Sequence, residues 1–285
     1  MTRRRPILLG IVGVLLLGAI WELYTAIAPA RGVAIGGATV LPRATDLAMP
    51  QLSTMFARLG QPVLSDPGSP QLWVSVIQAA GFTLGIAAMS WVLGVLVGML
   101  LAVLMQRFRT AESALLPWVI LSQTVPIIAL APLVSGFGSQ IPGWQDWISV
   151  AVIASYLAFF PVSIGALRGL DSPDQAQLEL MYSYGASWWA TLTRLRLPAS
   201  VPFLLPALRL GAASAVIGAV VAEVSIGLEG GVGRMMIEFA SASSGDPGKP
   251  FGPIFGAIAI GLVAAGVVAL IGLSLRKYRR GEVSA

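Results

Sequence analysis

No cysteine and no histidine occur in 285 residues, and only 11% of the residues are charged. Without cysteine there are no disulfides and no thiol chemistry. Without histidine there are no imidazole-ligated metals and no histidine proton relays. The charge content is less than half the roughly 25% of a soluble domain. Hydrophobic residues make up 56% of the chain and the mean hydropathy is +0.82. Those numbers exclude an ordinary soluble protein and describe an integral membrane protein. A net charge of +5 is compatible with nucleic-acid binding. The charges are few and sit at the ends of apolar runs, so membrane topology explains them and no nucleic-acid partner is expected. The phosphate-binding pattern G-x-x-x-x-G-K-[ST] is also missing: Gly248-Lys249 is followed by Pro250 and lacks the upstream glycine. The chain is therefore expected to bind no cofactor, hold no metal and hydrolyse no ATP itself.

What is present is a series of charge-free runs. A helix needs roughly 20 apolar residues to cross the hydrocarbon core. Such runs predict six transmembrane helices at about 6–28, 77–105, 114–135, 147–167, 204–226 and 250–275. Arg3-Arg4-Arg5 ahead of the first run also fits a secretory signal. No small-residue cleavage site follows and the segment is long, so it reads as a retained helix. Six spans put both termini on one side. With the N-terminus inside, 13 of the 18 Lys and Arg residues fall on inner segments and 5 on outer ones. The positive-inside bias makes both termini cytoplasmic, along with the loop 168–205.

That loop carries the most informative motif. Residues 179–198 read ELMYSYGASWWATLTRLRLP: Glu179, then Gly185, then Leu197-Pro198, an E-x₅-G-x₁₁-L-P layout. Ser172 is an expected N-cap with Pro173 at the first helical position. The helix should run to about Tyr184 and end on a left-handed Gly185. Ser187 should cap a second short helix that stops before Pro198. Trp188, Trp189 and Leu192 supply apolar anchors, and Arg194 and Arg196 mark the cytoplasmic side. The plain alternative is an amphipathic loop lying on the membrane.

Within the spans, Gln123-Thr124-Val125-Pro126 and Ala131-Pro132-Leu133 interrupt the third run, Phe159-Phe160-Pro161 the fourth. Ala222-Glu223 is followed by Gly227-Leu228 and Gly231-Val232-Gly233. In order and spacing, these motifs and the 179–198 loop resemble the inner-membrane permeases of ABC importers. The similarity is to the nitrate, taurine and aliphatic-sulfonate branch and covers about residues 75–275. The chain departs from that pattern at Leu180-Met181, where relatives carry Ala-Ala, and at Ser163-Ile164-Gly165, where many carry Asn-Thr.

The resemblance implies a type I importer permease, all-α in the membrane, sitting in the bacterial cytoplasmic membrane. It implies two copies of an ATPase subunit holding ATP and Mg, a second permease copy (a homodimer), and an extracytoplasmic substrate-binding protein. The coupling contact would be carried by Glu179, Tyr182, Gly185, Ala186, Ser187, Trp188 and Pro198. Pathway candidates, chosen for span position and polarity, are Gln123, Thr124, Pro126, Tyr156, Phe160, Ser163 and Glu223. Expected cargo is a sulfonate-, nitrate- or taurine-like anion or a heterocyclic vitamin precursor.

Glu223 supports two readings. A carboxylate in mid-helix costs roughly 2.5–3.5 kcal/mol on insertion scales and needs a cavity or a partner. It is either a gate residue or a structural tie, with the tie slightly favoured. An ion-coupled secondary transporter centred on Glu223 is the rival function. It lacks a histidine or lysine partner, and no long internal repeat is visible. A membrane enzyme would need convergent titratable groups in the spans. Glu22 reads as interfacial and Arg209 as snorkelling. Gly81 and Gly85, Gly94 and Gly98, and Gly211 and Gly218 read as tight helix packing, and Trp73, Trp118, Trp144 and Trp147 as interfacial belt residues. The expected division is 1–72, a first span with an outer loop holding a short helix near 46–59; 73–275, the permease core; and 276–285, a basic tail.

Overall fold

The computed structural model describes residues 4–27, 33–35, 38–41, 45, 47, 49–66 and 68–274. The basic tail at 276–285 lies outside them. Among the described residues the order is α1 (Arg4–Ile27), β1 (Val33–Ile35), β2 (Ala38–Leu41), α2 (Leu52–Leu59), α3 (Leu72–Arg107), α4 (Arg109–Leu121), α5 (Ile127–Gly138), α6 (Asp146–Leu170), α7 (Gln175–Ser183), α8 (Trp188–Thr191), α9 (Leu197–Ile226), α10 (Val232–Ser241) and α11 (Phe251–Ser274). The fold is helical as expected, apart from one short antiparallel hairpin, in which Val33 pairs with Leu41 and Ile35 with Ala38. The described residues group into two compact units, those within 1–78 and 236–255, and those within 79–235 and 256–285.

The larger unit is built around α6. Small residues let it approach both neighbours. A Cβ on Gly94 of α3 would lie 2.6 Å from Ala158 Cβ, and one on Gly98 2.8 Å from the Phe159 carbonyl. The partners rise together in sequence, so α3 and α6 run parallel. On the other flank Gly218 meets Ala154, Gly211 meets Val162 and Ala158, Gly165 meets Ala207, and Gly169 meets Ser200. Those pairs run oppositely, so α9 is antiparallel to α6. Val268 of α11 packs with Val162, Leu208 and Ala212. Trp91 Nε1 of α3 donates to the Leu208 carbonyl at 3.1 Å.

The parallel pairing of α3 and α6 settles how α4 and α5 travel. The chain must return to the opposite face between residue 107 and residue 146. Helices α4 and α5 do this as one broken span, bent by 103° at residues 125–126. With that pair counted as one crossing, six helices or helix pairs among the described residues are long and apolar enough to span, the number expected from the sequence. The bend is sharper than a proline kink, because Ser122–Thr124 tighten into a 3-10 turn and Val125 and Pro126 are extended.

The smaller unit has its own polar ties. Glu22 Oε1 of α1 accepts from Leu52 N at 2.6 Å and so caps α2, which makes it a local anchor as well as an interfacial residue. Trp21 Nε1 donates to the Pro50 carbonyl at 3.1 Å, and Phe56 stacks on Phe255 at 5.0 Å. Arg58, almost fully buried, pairs with Asp246 at 2.5 Å. Helix α2 begins later than the expected 46.

Candidate functional site

The loop between α6 and α9 forms two short helices around a glycine elbow. Helix α7 starts two residues later than its serine-proline signal suggests. Asp174, not Ser172, is the N-cap, and Gln177 completes a reciprocal capping box by accepting from Asp174 N at 3.2 Å. Ser172 instead donates to the Gly169 and Ala199 carbonyls at 2.7 and 3.3 Å. At the other end Gly185 has φ +67°. Ala186 N donates to the Met181 carbonyl at 3.0 Å and Gly185 N to the Tyr182 carbonyl at 2.9 Å, the paired bonds of a Schellman ending. Ser187 Oγ then accepts from Ala190 N at 3.3 Å and caps α8.

Helix α8 does not stop before Pro198. Residues Leu192–Arg196 widen into a π turn and the chain continues straight into α9. A proline ring clashes with the carbonyl four residues back in a regular helix, and the wide turn lies immediately ahead of Pro198. The base of the loop is pinned to the span ends. Arg196 Nη1 donates to the Leu170 carbonyl at 2.7 Å and to Asp171 Oδ1 at 3.1 Å. With its amide turned oxygen-inward, Gln106 accepts from Arg196 as well. Leu192 is buried with Ala102, Met105, Leu167 and Leu170, and Trp188 packs against the same cluster. Tyr182, Tyr184 and Trp189 are left facing outward, and Glu179 is exposed and accepts from Gln175 Nε2 at 3.1 Å.

The predicted pathway residues do not all share one wall. Gln123, Thr124 and Pro126 lie exposed at the break between α4 and α5. Tyr156 of α6 donates its hydroxyl to the Ser122 carbonyl and ties α6 to that break. Phe160 lines a cleft of about 540 Å³ between α4 and α6, together with Leu116, Ile120 and Ile164 and the charged Glu112, Arg168 and Asp171. Ser163 is fully buried in the α3–α6 seam, its amide beside Gly98. Glu223 is fully buried too and lines none of the three described cavities. Its Oε2 accepts from Thr83 Oγ1 at 3.0 Å and from Gly233 N at 2.9 Å, and Thr83 Oγ1 in turn accepts from Val232 N at 2.9 Å. Thr83 was invisible as a partner in the sequence, being 140 residues from Glu223. The glycines at 231 and 233 were the available signal, since a Cβ on Gly231 would fall 2.3 Å from the Glu223 carboxyl carbon.

The family described as binding-protein-dependent transport system inner membrane component matches residues 94–279. The chain belongs to that family. It is 35% identical over 205 residues to the formylaminopyrimidine transport permease protein ThiX of Halalkalibacterium halodurans, covering 70% of this chain and 77% of that one. It is 29% identical over 263 residues to the putative aliphatic sulfonates transport permease protein SsuC of Bacillus subtilis, covering 92% and 84%. A solved amino acid ABC transporter chain superposes with a TM-score of 0.53 at 19% identity, over 71% of this chain and 94% of that one, and shows the shared fold. The permease is thus a multi-pass inner-membrane component of an ABC importer. It is the non-catalytic membrane subunit, in a family whose members work with a separate ATPase and a substrate-binding protein.

Proposed function

We propose that residues 173–197 are the coupling element of this permease and that two copies of the chain enclose one pathway. Each copy would present Glu179, Tyr182, Gly185, Ala186 and Ser187 to one of two ATPase subunits, which hold ATP and Mg. Trp188 and Pro198 would transmit the push into α3 and α9. The observation that carries this reading is the division of the loop's aromatic side chains. Trp188 is half-buried against the span ends, while Tyr182 and Tyr184 face away, 86% and 81% exposed. A loop lying on a membrane would instead need one continuous apolar face.

The cleft between α4 and α6 is the proposed cytoplasmic part of the path in each copy. Phe160 and Ile164 form its wall, and Gln123, Thr124 and Pro126 lie along the break above it. Ser163 and Glu223 are proposed to hold the helices in register instead of touching cargo. Outside the core, 1–72 is proposed to form the first span and the outer loop, and 276–285 a cytoplasmic tail. The names of the relatives support a small organic anion or a heterocyclic vitamin precursor as cargo, with selection made largely by the binding protein.

Co-expression with a cognate ATPase subunit tests the coupling element. Wild type should purify as a complex with vanadate-sensitive ATPase activity. Gly185→Arg, which projects a long cation from the elbow, should purify as a folded permease without the ATPase. Equal assembly by both would remove this role from the loop.

A further inference from the structure

At the cytoplasmic end of α3, Arg107 sits in an unusual setting. Its guanidinium carbon lies 5.1 Å from the Trp188 ring centre and 5.5 Å from that of Phe108. No carboxylate pairs with it among the described residues. The groove beside it measures about 300 Å³ and is otherwise lined by apolar groups, chiefly Leu100, Leu104, Phe108, Trp188 and Trp189. Leu100 is 69% exposed and Trp189 67%, and Trp189 meets Trp188 edge-on at 4.7 Å.

We infer that this groove is a site for one anionic phospholipid of the inner leaflet, its phosphate on Arg107 and an acyl chain along Leu104 and Leu100. Three observations choose this occupant. First, the groove joins one unpaired cation to an otherwise apolar wall, which matches a lipid's charged head and apolar tail. Second, Leu100 lies seven residues before the end of the span, about 10 Å into the hydrocarbon along the helix, out of reach of a soluble partner. Third, the groove is at headgroup depth, where Trp side chains and basic residues at span ends collect. A guanidinium over two aromatic rings keeps N–H groups free to meet a phosphate.

The placement has a consequence. One wall is α3 and the other is α8, so a bound lipid braces the loop against the span. That consequence rests on the coupling role proposed above, whereas the site itself does not.

The test uses the full-length permease, without its ATPase, in nanodiscs of phosphatidylcholine mixed equally with phosphatidylglycerol. Lipid retained after gentle detergent extraction is counted by native mass spectrometry. One basic residue at an anionic surface corresponds to about fivefold in preference. Wild type should therefore retain phosphatidylglycerol over phosphatidylcholine by about fivefold. Arg107→Gln should retain the two lipids equally, and Arg107→Lys should keep most of the preference, which separates charge from misfolding. Leu104→Trp, filling the groove, should lower retention of both lipids. Equal retention in wild type, or an unchanged preference in a folded Arg107→Gln, would overturn the site. So would disulfide dimers formed by Leu104→Cys in this cysteine-free chain, since they would show a second copy covering the groove.

Discussion

Thr83 of α3 and Glu223 of α9 share one hydrogen bond of 3.0 Å, and the Thr83 hydroxyl passes the connection on to Val232 N at the start of α10. One hydroxyl thus joins two spans and the turn after the second. Replacing it by Val keeps the shape, removes a donor from the carboxyl group and leaves the Val232 N–H unpaired. A buried polar group left without its partner costs about 1–3 kcal/mol. Thr83→Val should therefore lower the thermal unfolding temperature of the purified permease markedly, and Thr83→Ser much less. Glu223→Gln, which keeps the accepting oxygen, should transport at the wild-type rate. A transport defect in a stable Glu223→Gln would revive the gate reading.

The glycines around this tie behave differently from those on the open faces. A Cβ at Gly233 would stand 2.5 Å from the Val220 carbonyl and 2.8 Å from Glu223 Cβ. Backbone on that side cannot give way, and overpacking of this kind costs about 1–3 kcal/mol. Gly233→Ala should destabilise the permease accordingly. Gly81 and Gly85 have nothing within 4 Å of the same position. Alanine there should be neutral or stabilising in the isolated chain, because glycine inside a helix is about 1 kcal/mol worse. Unfolding scans of the three variants in one detergent would decide it; equal losses in all would contradict the packing described.

Arg196 and Asp171 form an unequal pair. The Arg196 side chain is 15% exposed and also serves the Leu170 carbonyl, whereas Asp171 is 49% exposed. An exposed ion pair contributes about 0–1 kcal/mol, while stranding a buried carbonyl costs about 1–3 kcal/mol. Arg196→Ala should therefore cost clearly more stability than Asp171→Asn. Its protease sensitivity should rise in residues 171–197, where the loop meets the spans. Similar losses in the two variants would show that the ion pair itself dominates.

Much of this architecture was legible because a membrane leaves few options. Every backbone group in lipid must be paired internally, so charge-free runs of sufficient length translate directly into spans. Gly185 and Ser187 were readable as a helix stop and start because such signals are local. The failures were also local. Ser172-Pro173 looked like a helix start, but the Asp174–Gln177 pair two residues on offers two reciprocal bonds and wins. Pro198 looked like a stop, but a π turn carries the helix past it. The partners of Glu223 and Arg196 were out of reach for a different reason. They lie on other helices, and helix pairing is set by small residues whose matching partners are scattered through the chain.

The break between α4 and α5 depends on one hydroxyl from α6, since Tyr156 donates to the Ser122 carbonyl at the point where the helix ends. Without that hydroxyl the carbonyl would keep only the long 3.5 Å bond from Val125 N. Tyr156→Phe leaves the ring, and with it the contact to Phe159 at 5.7 Å, in place. Only the hydrogen bond is lost, so global stability should fall by about 0.5–1.5 kcal/mol. The local effect should be larger, because the 3-10 turn at Ser122–Thr124 has few bonds of its own. Amide exchange at residues 122–127 should accelerate at least severalfold, while exchange in the middle of α6 stays unchanged. If both segments kept their wild-type protection, the bend would be held by the packing of α5 alone, and the Tyr156 hydroxyl would have no part in fixing it.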